Sequence, residues 1–181
     1  MTSPNRRLLG WLVLVTSLLK WTPLYAQEME LGGTVGLAIA GTPDETKPVT
    51  GWGIEGCAQC SGRFGLFAEY SHWSPATRPA SYGIARVNLV GGGLRIQEPL
   101  PGGRRGLFFL DLGLGLGRWR SLEQRRERED RDYGFILGYG AMIPVLGGWY
   151  LRPQVRLYLM GGCCPVSFAS YGGGVGAGIR F

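Results

Sequence analysis

Apolar and polar residues alternate with a period of two along most of the chain beyond residue 29, which marks β-strands with two unlike faces. Trp149 to Met160 is the clearest stretch. Trp149, Leu151, Val155, Leu157 and Leu159 share one face, with Pro153 among them, and Tyr150, Arg152, Gln154, Arg156 and Tyr158 share the other. In Tyr133 to Ile143 the bulky Tyr133, Phe135, Leu137 and Tyr139 oppose Gly134, Ile136, Gly138 and Gly140. Phe108 to Arg118 sets Phe108 and four leucines against Asp111, Gly113, Gly115 and Gly117. Ser170 to Phe181 sets Tyr171, Val175, Ala177, Ile179 and Phe181 against four glycines and Arg180. Four earlier stretches follow the same rule: Glu30 to Ala40, Thr50 to Cys57, Phe64 to Trp73 and Tyr82 to Ile96. In the last of these, Ala85, Val87 and Leu89 oppose Arg86 and Asn88, and a β-bulge is expected at Gly91-Gly92-Gly93, where the phase slips.

That makes eight strands, and the connections alternate too. Short turns are expected at 58–62, 97–105 and 144–148, and longer polar loops near 41–50, 74–81, 119–132 and 161–169. An even strand number with short turns at one end and long loops at the other is the pattern of a bacterial outer-membrane barrel. The expected fold is all-β: an eight-stranded antiparallel up-and-down transmembrane β-barrel. A soluble sandwich or lipocalin-like barrel would turn its bulky apolar faces inward. Here the faces opposite the bulky residues carry glycine and charge, which suits lipid outside and a tight polar interior.

The N-terminus supplies a route to that membrane. Arg6 and Arg7 precede an apolar run, Leu8 to Leu19, and Lys20 to Ala26 falls away toward a cleavage site. The run is short of the roughly 20 residues that span a bilayer. Residues 1–26 therefore read as a cleaved signal peptide and residues 27–181 as one barrel domain. Beyond that segment no apolar stretch reaches helix-spanning length, so a membrane location requires a closed sheet that satisfies its own backbone.

Composition sharpens the interior. Glycine contributes 32 of 181 residues, and a mean hydropathy of +0.03 is what alternating lipid-facing and lumen-facing residues average to. The formal charge of +6 is not clustered as a nucleic-acid site would require, and no nucleic-acid partner is expected. The lumen face carries Glu30, Glu55, Glu69 and Asp111, and also Arg86, Arg152, Arg156 and Arg180. Four acids meeting four bases predict a lumenal ion-pair network and a plugged barrel, because an unpaired buried charge costs several kcal/mol.

Signal peptide, eight alternating strands, glycine-rich faces and the closing Gly-Val-Gly-Ala-Gly-Ile-Arg-Phe of residues 174–181 resemble the OmpA/OmpX-type outer-membrane β-barrel superfamily. The resemblance covers the whole chain beyond the signal. It implies the Gram-negative outer membrane, lipid including lipopolysaccharide as surroundings, and Phe181 as part of the signal read by the barrel-assembly machinery. It does not imply a reaction; a monomer without a cofactor is expected. With the chain ending at Phe181, the peptidoglycan-binding domain of OmpA itself is not expected.

Four cysteines in an exported chain point to disulfides. Cys57 and Cys60 sit at a short turn, and Cys163 and Cys164 in a long loop at the opposite end, so each pair can bridge only locally. A redox or metal site would need a companion motif that the sequence lacks, and no metal is expected. His72 and Ser74 share the outward face, in faint similarity to the His-x-Ser of outer-membrane lipid A deacylases. Pro75 follows where that family carries Asn, and Glu69 points inward, so no catalytic residue is assigned. Residues 118–132 carry six arginines and five acids and are expected to form a short helix or solvated loop whose guanidiniums can meet lipid phosphates. The sequence favours a non-enzymatic barrel, with a minimal pore or carrier as the alternative and a lipid A hydrolase behind it.

Overall fold

The computed structural model describes residues 29–42, 45–60, 62–75, 82–103, 105–123, 126–161 and 168–181. Residues 1–26, read as the signal peptide, lie outside them, as do Cys163 and Cys164. Eight strands run β1 (Met29–Thr42), β2 (Glu45–Ala58), β3 (Phe64–Pro75), β4 (Tyr82–Pro99), β5 (Leu107–Glu123), β6 (Arg126–Pro144), β7 (Trp149–Met160) and β8 (Phe168–Arg180). Each pairs antiparallel with the next, and β8 pairs with β1, closing the barrel. Paired backbone hydrogen bonds between Met29 and Phe181, at 2.9 and 3.0 Å, fasten the seam at the end of the chain. Closure leaves no unpaired edge. Among the described residues no helix is long and apolar enough to cross a membrane.

The bulky residues face outward. In β5 the side chains of Phe108, Leu110, Leu112, Leu114 and Leu116 all stand exposed, and β6 presents Tyr133, Phe135, Leu137 and Tyr139 beside them. The inward faces of β1, β5, β6 and β8 carry glycine because strand backbones and interior side chains approach closely there. At Gly113 an added Cβ would lie 2.9 Å from the Phe67 ring and 2.6 Å from the Gly92 carbonyl oxygen. Pro153 cannot donate a ladder hydrogen bond, and the β6–β7 pairing is interrupted opposite it, between Gly140–Gln154 and Ile143–Leu151.

Three expectations are corrected. First, β4 has the opposite phase at its start: Val87 and Leu89 are fully buried inside and Arg86 is exposed outside. The parity then runs unbroken through Gly91–Gly93, and the irregularity lies instead between Ile84 and Arg86. A bulge there inserts one residue and flips the faces beyond it. Second, residues 118–123 and 126–132 form neither helix nor loop. They continue β5 and β6, whose ladder pairs Arg120 with Glu129 and Glu123 with Arg126; the opposite charges of Arg120 and Glu129 across the strands support that pairing. Third, the first long loop is shorter than expected, since β1 and β2 extend to Thr42 and from Glu45.

Candidate functional site

The interior is layered. Toward the end where β5 and β6 project, a cluster of buried apolar side chains packs together inside the barrel, among them Trp73, Val87, Leu89, Trp119, Ile136 and Phe168. Trp119 and Phe168 stack with centroids 5.2 Å apart. At the other end Phe109, Met142 and Tyr150 pack together. Charge lies between the two.

Arg95 is the hub of that charged layer and has no solvent exposure. Its Nε donates to Asp111 Oδ1 at 2.7 Å and its NH2 to Asp111 Oδ2 at 2.8 Å. The same NH2 reaches Glu55 Oε1 at 2.6 Å, and NH1 reaches Glu30 Oε2 at 3.3 Å. Paired N–H groups on one carboxylate give the fork geometry that suits arginine. Arg156 is a second hub, meeting Glu55 at 2.6 Å, Glu69 at 3.0 Å and Asp111 at 2.8 Å. Arg152 pairs with Glu55, and Arg180 pairs with Glu30 across the β8–β1 seam, its Nε at 2.9 Å. Two rings complete the shell. The Arg95 guanidinium lies 4.5 Å from the Phe109 centroid, and that of Arg156 lies 5.4 Å from Phe67, both within cation–π range.

Seven of the eight residues expected in the network therefore meet: Glu30, Glu55, Glu69, Asp111, Arg152, Arg156 and Arg180. Arg86 does not, because the bulge above it turns it outward. Arg95 takes its place. The signal for Arg95 was present in Leu94-Arg95-Ile96, where two outward-facing apolar neighbours, Leu94 exposed and Ile96 partly so, fix the central residue as inward. Beside Glu69, Ser71 and Tyr158 a space of about 20 Å³ remains, roughly the room for one water.

The outer wall carries its own arrangement. On the outward register, Trp52, His72, Asn88, Arg118 and Arg131 follow one another across β2 to β6. His72 Nδ1 donates to Asn88 Oδ1 at 2.8 Å, and Tyr70 Oη donates to the same oxygen at 3.1 Å. Trp52 packs on both rings, with centroids 5.6 and 5.8 Å away. The next outward step holds Arg86, Arg120 and Glu129. Glu129 gathers three guanidiniums: Arg118 at 2.6 Å, Arg120 at 3.2 Å and Arg131 at 3.3 Å. The Arg118 hydrogen bond, helped by Arg120 and Arg131, holds the Glu129 carboxyl down at about 2.

Neither a family model nor a curated protein sequence matches the chain. Solved structures do match its fold. Neisserial surface protein A aligns with a TM-score of 0.71 at 12% identity, covering 84% of this chain and 97% of that one. Ail, the attachment invasion locus protein of Yersinia pestis, in complex with the heparin analogue sucrose octasulfate, gives 0.61 at 11% identity over 87% of this chain and all, 100%, of its own. The N-terminal β-barrel domain of Pseudomonas aeruginosa OprF gives 0.56 at 11% identity, covering 83% and 97%. All three are small eight-stranded outer-membrane barrels. This chain has the fold of an OmpA/OmpX-type barrel.

Within this barrel the remaining candidates fall into place. Cys57 and Cys60 are buried and joined in a disulfide at the β2–β3 turn. Their sulfur atoms and a Glu30 carboxylate oxygen lie within 4.8 Å of one another, but Glu30 is already engaged by Arg95 and Arg180. Two adjacent guanidiniums oppose a cation there. Phe181 stands exposed beside the seam. His72 is oriented by an amide oxygen, where a base for Ser74 would call for a carboxylate partner.

Proposed function

We propose that this protein is a non-enzymatic outer-membrane barrel with a plugged lumen, acting as a structural or surface-interacting element of the envelope. One observation carries the reading: the interior holds two apolar clusters with a largely buried ion-pair layer between them, while the exposed wall is a belt of large apolar side chains. A chain built this way spends its polar residues on its own closure and leaves the outer wall and the projecting β5–β6 hairpin as surfaces for contact. Neisserial surface protein A and Ail have the same fold, and their names describe a surface protein and an attachment protein. The signal peptide delivers the chain, the closing strand with Phe181 engages the barrel-assembly machinery, and the short turns face the periplasm. The barrel works as a monomer in lipid that includes lipopolysaccharide.

Two measurements test this. The folded protein should fractionate with the outer membrane and shift on a gel after boiling in detergent. In planar bilayers it should give no steady conductance steps. Steady steps would replace the plugged barrel with the pore, and absence from the outer membrane would remove the reading altogether.

A further inference from the structure

The outer wall of β4, β5 and β6 carries a feature that neither closure nor packing requires. Arg86, Arg118, Arg120 and Arg131 all lie on the outward register within two adjacent steps. With Glu129 among them, four positive charges and one negative leave +3 on a patch of neighbouring side chains. The patch sits immediately above the apolar belt. One outward step below it is the row Val90, Leu116 and Tyr133, with Tyr133 at 75% exposure. Two residues along a strand advance about 6.7 Å, so in a strand tilted by about 40° the guanidiniums stand roughly 5 Å beyond the last apolar row. That is the depth of lipid headgroups. Glu129 holds three of the guanidiniums together while they remain about half exposed: 47% for Arg118, 43% for Arg120 and 64% for Arg131. One carboxylate cannot saturate the N–H donors of Arg118 and Arg131, each of which carries five.

We propose that this patch binds the phosphate groups of a phosphorylated outer-leaflet glycolipid, whose acyl chains lie down the wall over Val90, Leu116 and Tyr133. Guanidinium forks match phosphate oxygens in pairs, and a wall position directly above the belt presents them to lipid. The inference rests on the proposed membrane placement and deepens it by naming a lipid partner and a side of the barrel.

The test uses the full mature protein in phosphate-free lipid nanodiscs, with native mass spectrometry as the readout. Diphosphoryl lipid A is compared with the same lipid after phosphatase treatment. Wild type should prefer the phosphorylated lipid at least tenfold, and Arg118→Gln with Arg131→Gln should abolish the preference. Should that pair fail to fold, Arg86→Gln and Arg131→Gln singly should each weaken binding roughly fivefold. Equal binding of both lipids by wild type, or a preference that survives the substitutions, would overturn the proposal. So would sucrose octasulfate binding from solution as tightly as the lipid, since the patch would then read soluble polyanions. Outer-membrane fractionation and the gel shift of the same variants report on the membrane reading separately.

Discussion

Replacing Arg95 by Met should be among the most damaging single changes in the protein. Arg95 is wholly buried and contacts Asp111, Glu55 and Glu30, which stand on three different strands. After the substitution each acid keeps another arginine: Asp111 keeps Arg156, Glu55 keeps Arg152 and Arg156, and Glu30 keeps Arg180. The layer nevertheless holds four acids against three bases, a net buried charge of −1. Two unit charges 4 Å apart interact by about 4 kcal/mol at an effective dielectric of 20, and removing one partner of a buried pair costs about 3–5 kcal/mol. A loss of about 3–5 kcal/mol is expected. Adding Asp111→Asn restores the balance at three and three, so the double variant should recover about half of the loss although it has lost more hydrogen bonds. Urea unfolding in lipid vesicles, followed by the gel shift, measures each corner of the cycle. A single variant within 1 kcal/mol of wild type, or a double variant as unstable as the sum of its singles, would refute this account of the layer.

Three further outcomes follow from individual contacts. At Gly138 an added Cβ would lie 2.9 Å from two carbons of the buried Arg156 side chain, whereas at Gly33 the nearest atom is 3.8 Å away; Gly138→Ala should cost about 1–3 kcal/mol in urea unfolding and Gly33→Ala should be close to neutral. Glu129 has a lowered folded-state value, so its ion pairs with Arg118, Arg120 and Arg131 should be intact above the ordinary 4.5 and lost as pH falls toward about 2; a carboxyl NMR titration with a midpoint at 4.5 would mean the three guanidiniums do not converge. Cys57→Ser with Cys60→Ser opens a loop of only a few residues, so the loss should be no more than about 2 kcal/mol, and intact-mass measurement of wild type should show the bridge formed before any reductant is added.

Seven strands were legible because their outward residues are large and their inward residues are small or charged. β4 broke that contrast. Val87 and Leu89 are apolar yet inward, and Gly91-Gly92-Gly93 carries no side chains to report a face. A phase slip assigned to the glycines displaced Arg86 into the lumen and left Arg95 unread. The outer-end core was invisible for a related reason: Trp119, Ile136 and Phe168 are apolar residues pointing inward, which in an alternating sequence look like breaks in the pattern. The hairpin extension was hidden because strands beyond the apolar belt no longer need hydrophobic alternation. There the ladder and cross-strand charges hold the pairing.

The apolar belt and the ion-pair layer specify different things. A register slip of one residue would turn every outward leucine inward, so the belt alone forbids it. A slip of two preserves every face and leaves the belt indifferent. It moves partners by about 6.7 Å, however, and ion pairs made at 2.6 to 3.3 Å do not survive that displacement. Arg95 on β4 reads the positions of β1, β2 and β5 at once, and Arg156 on β7 reads β2, β3 and β5. The layer therefore fixes the stagger that the hydrophobic pattern leaves open. An apolar replacement could match its stability and still lose that uniqueness. The Arg95→Met, Asp111→Asn variant isolates the point. In micelles, wild type should give one set of amide resonances for β4 and β5, and the variant should add a second set from chains staggered by two. A single set in the variant, at whatever stability, would mean that the turns and the seam fix the register without the charges.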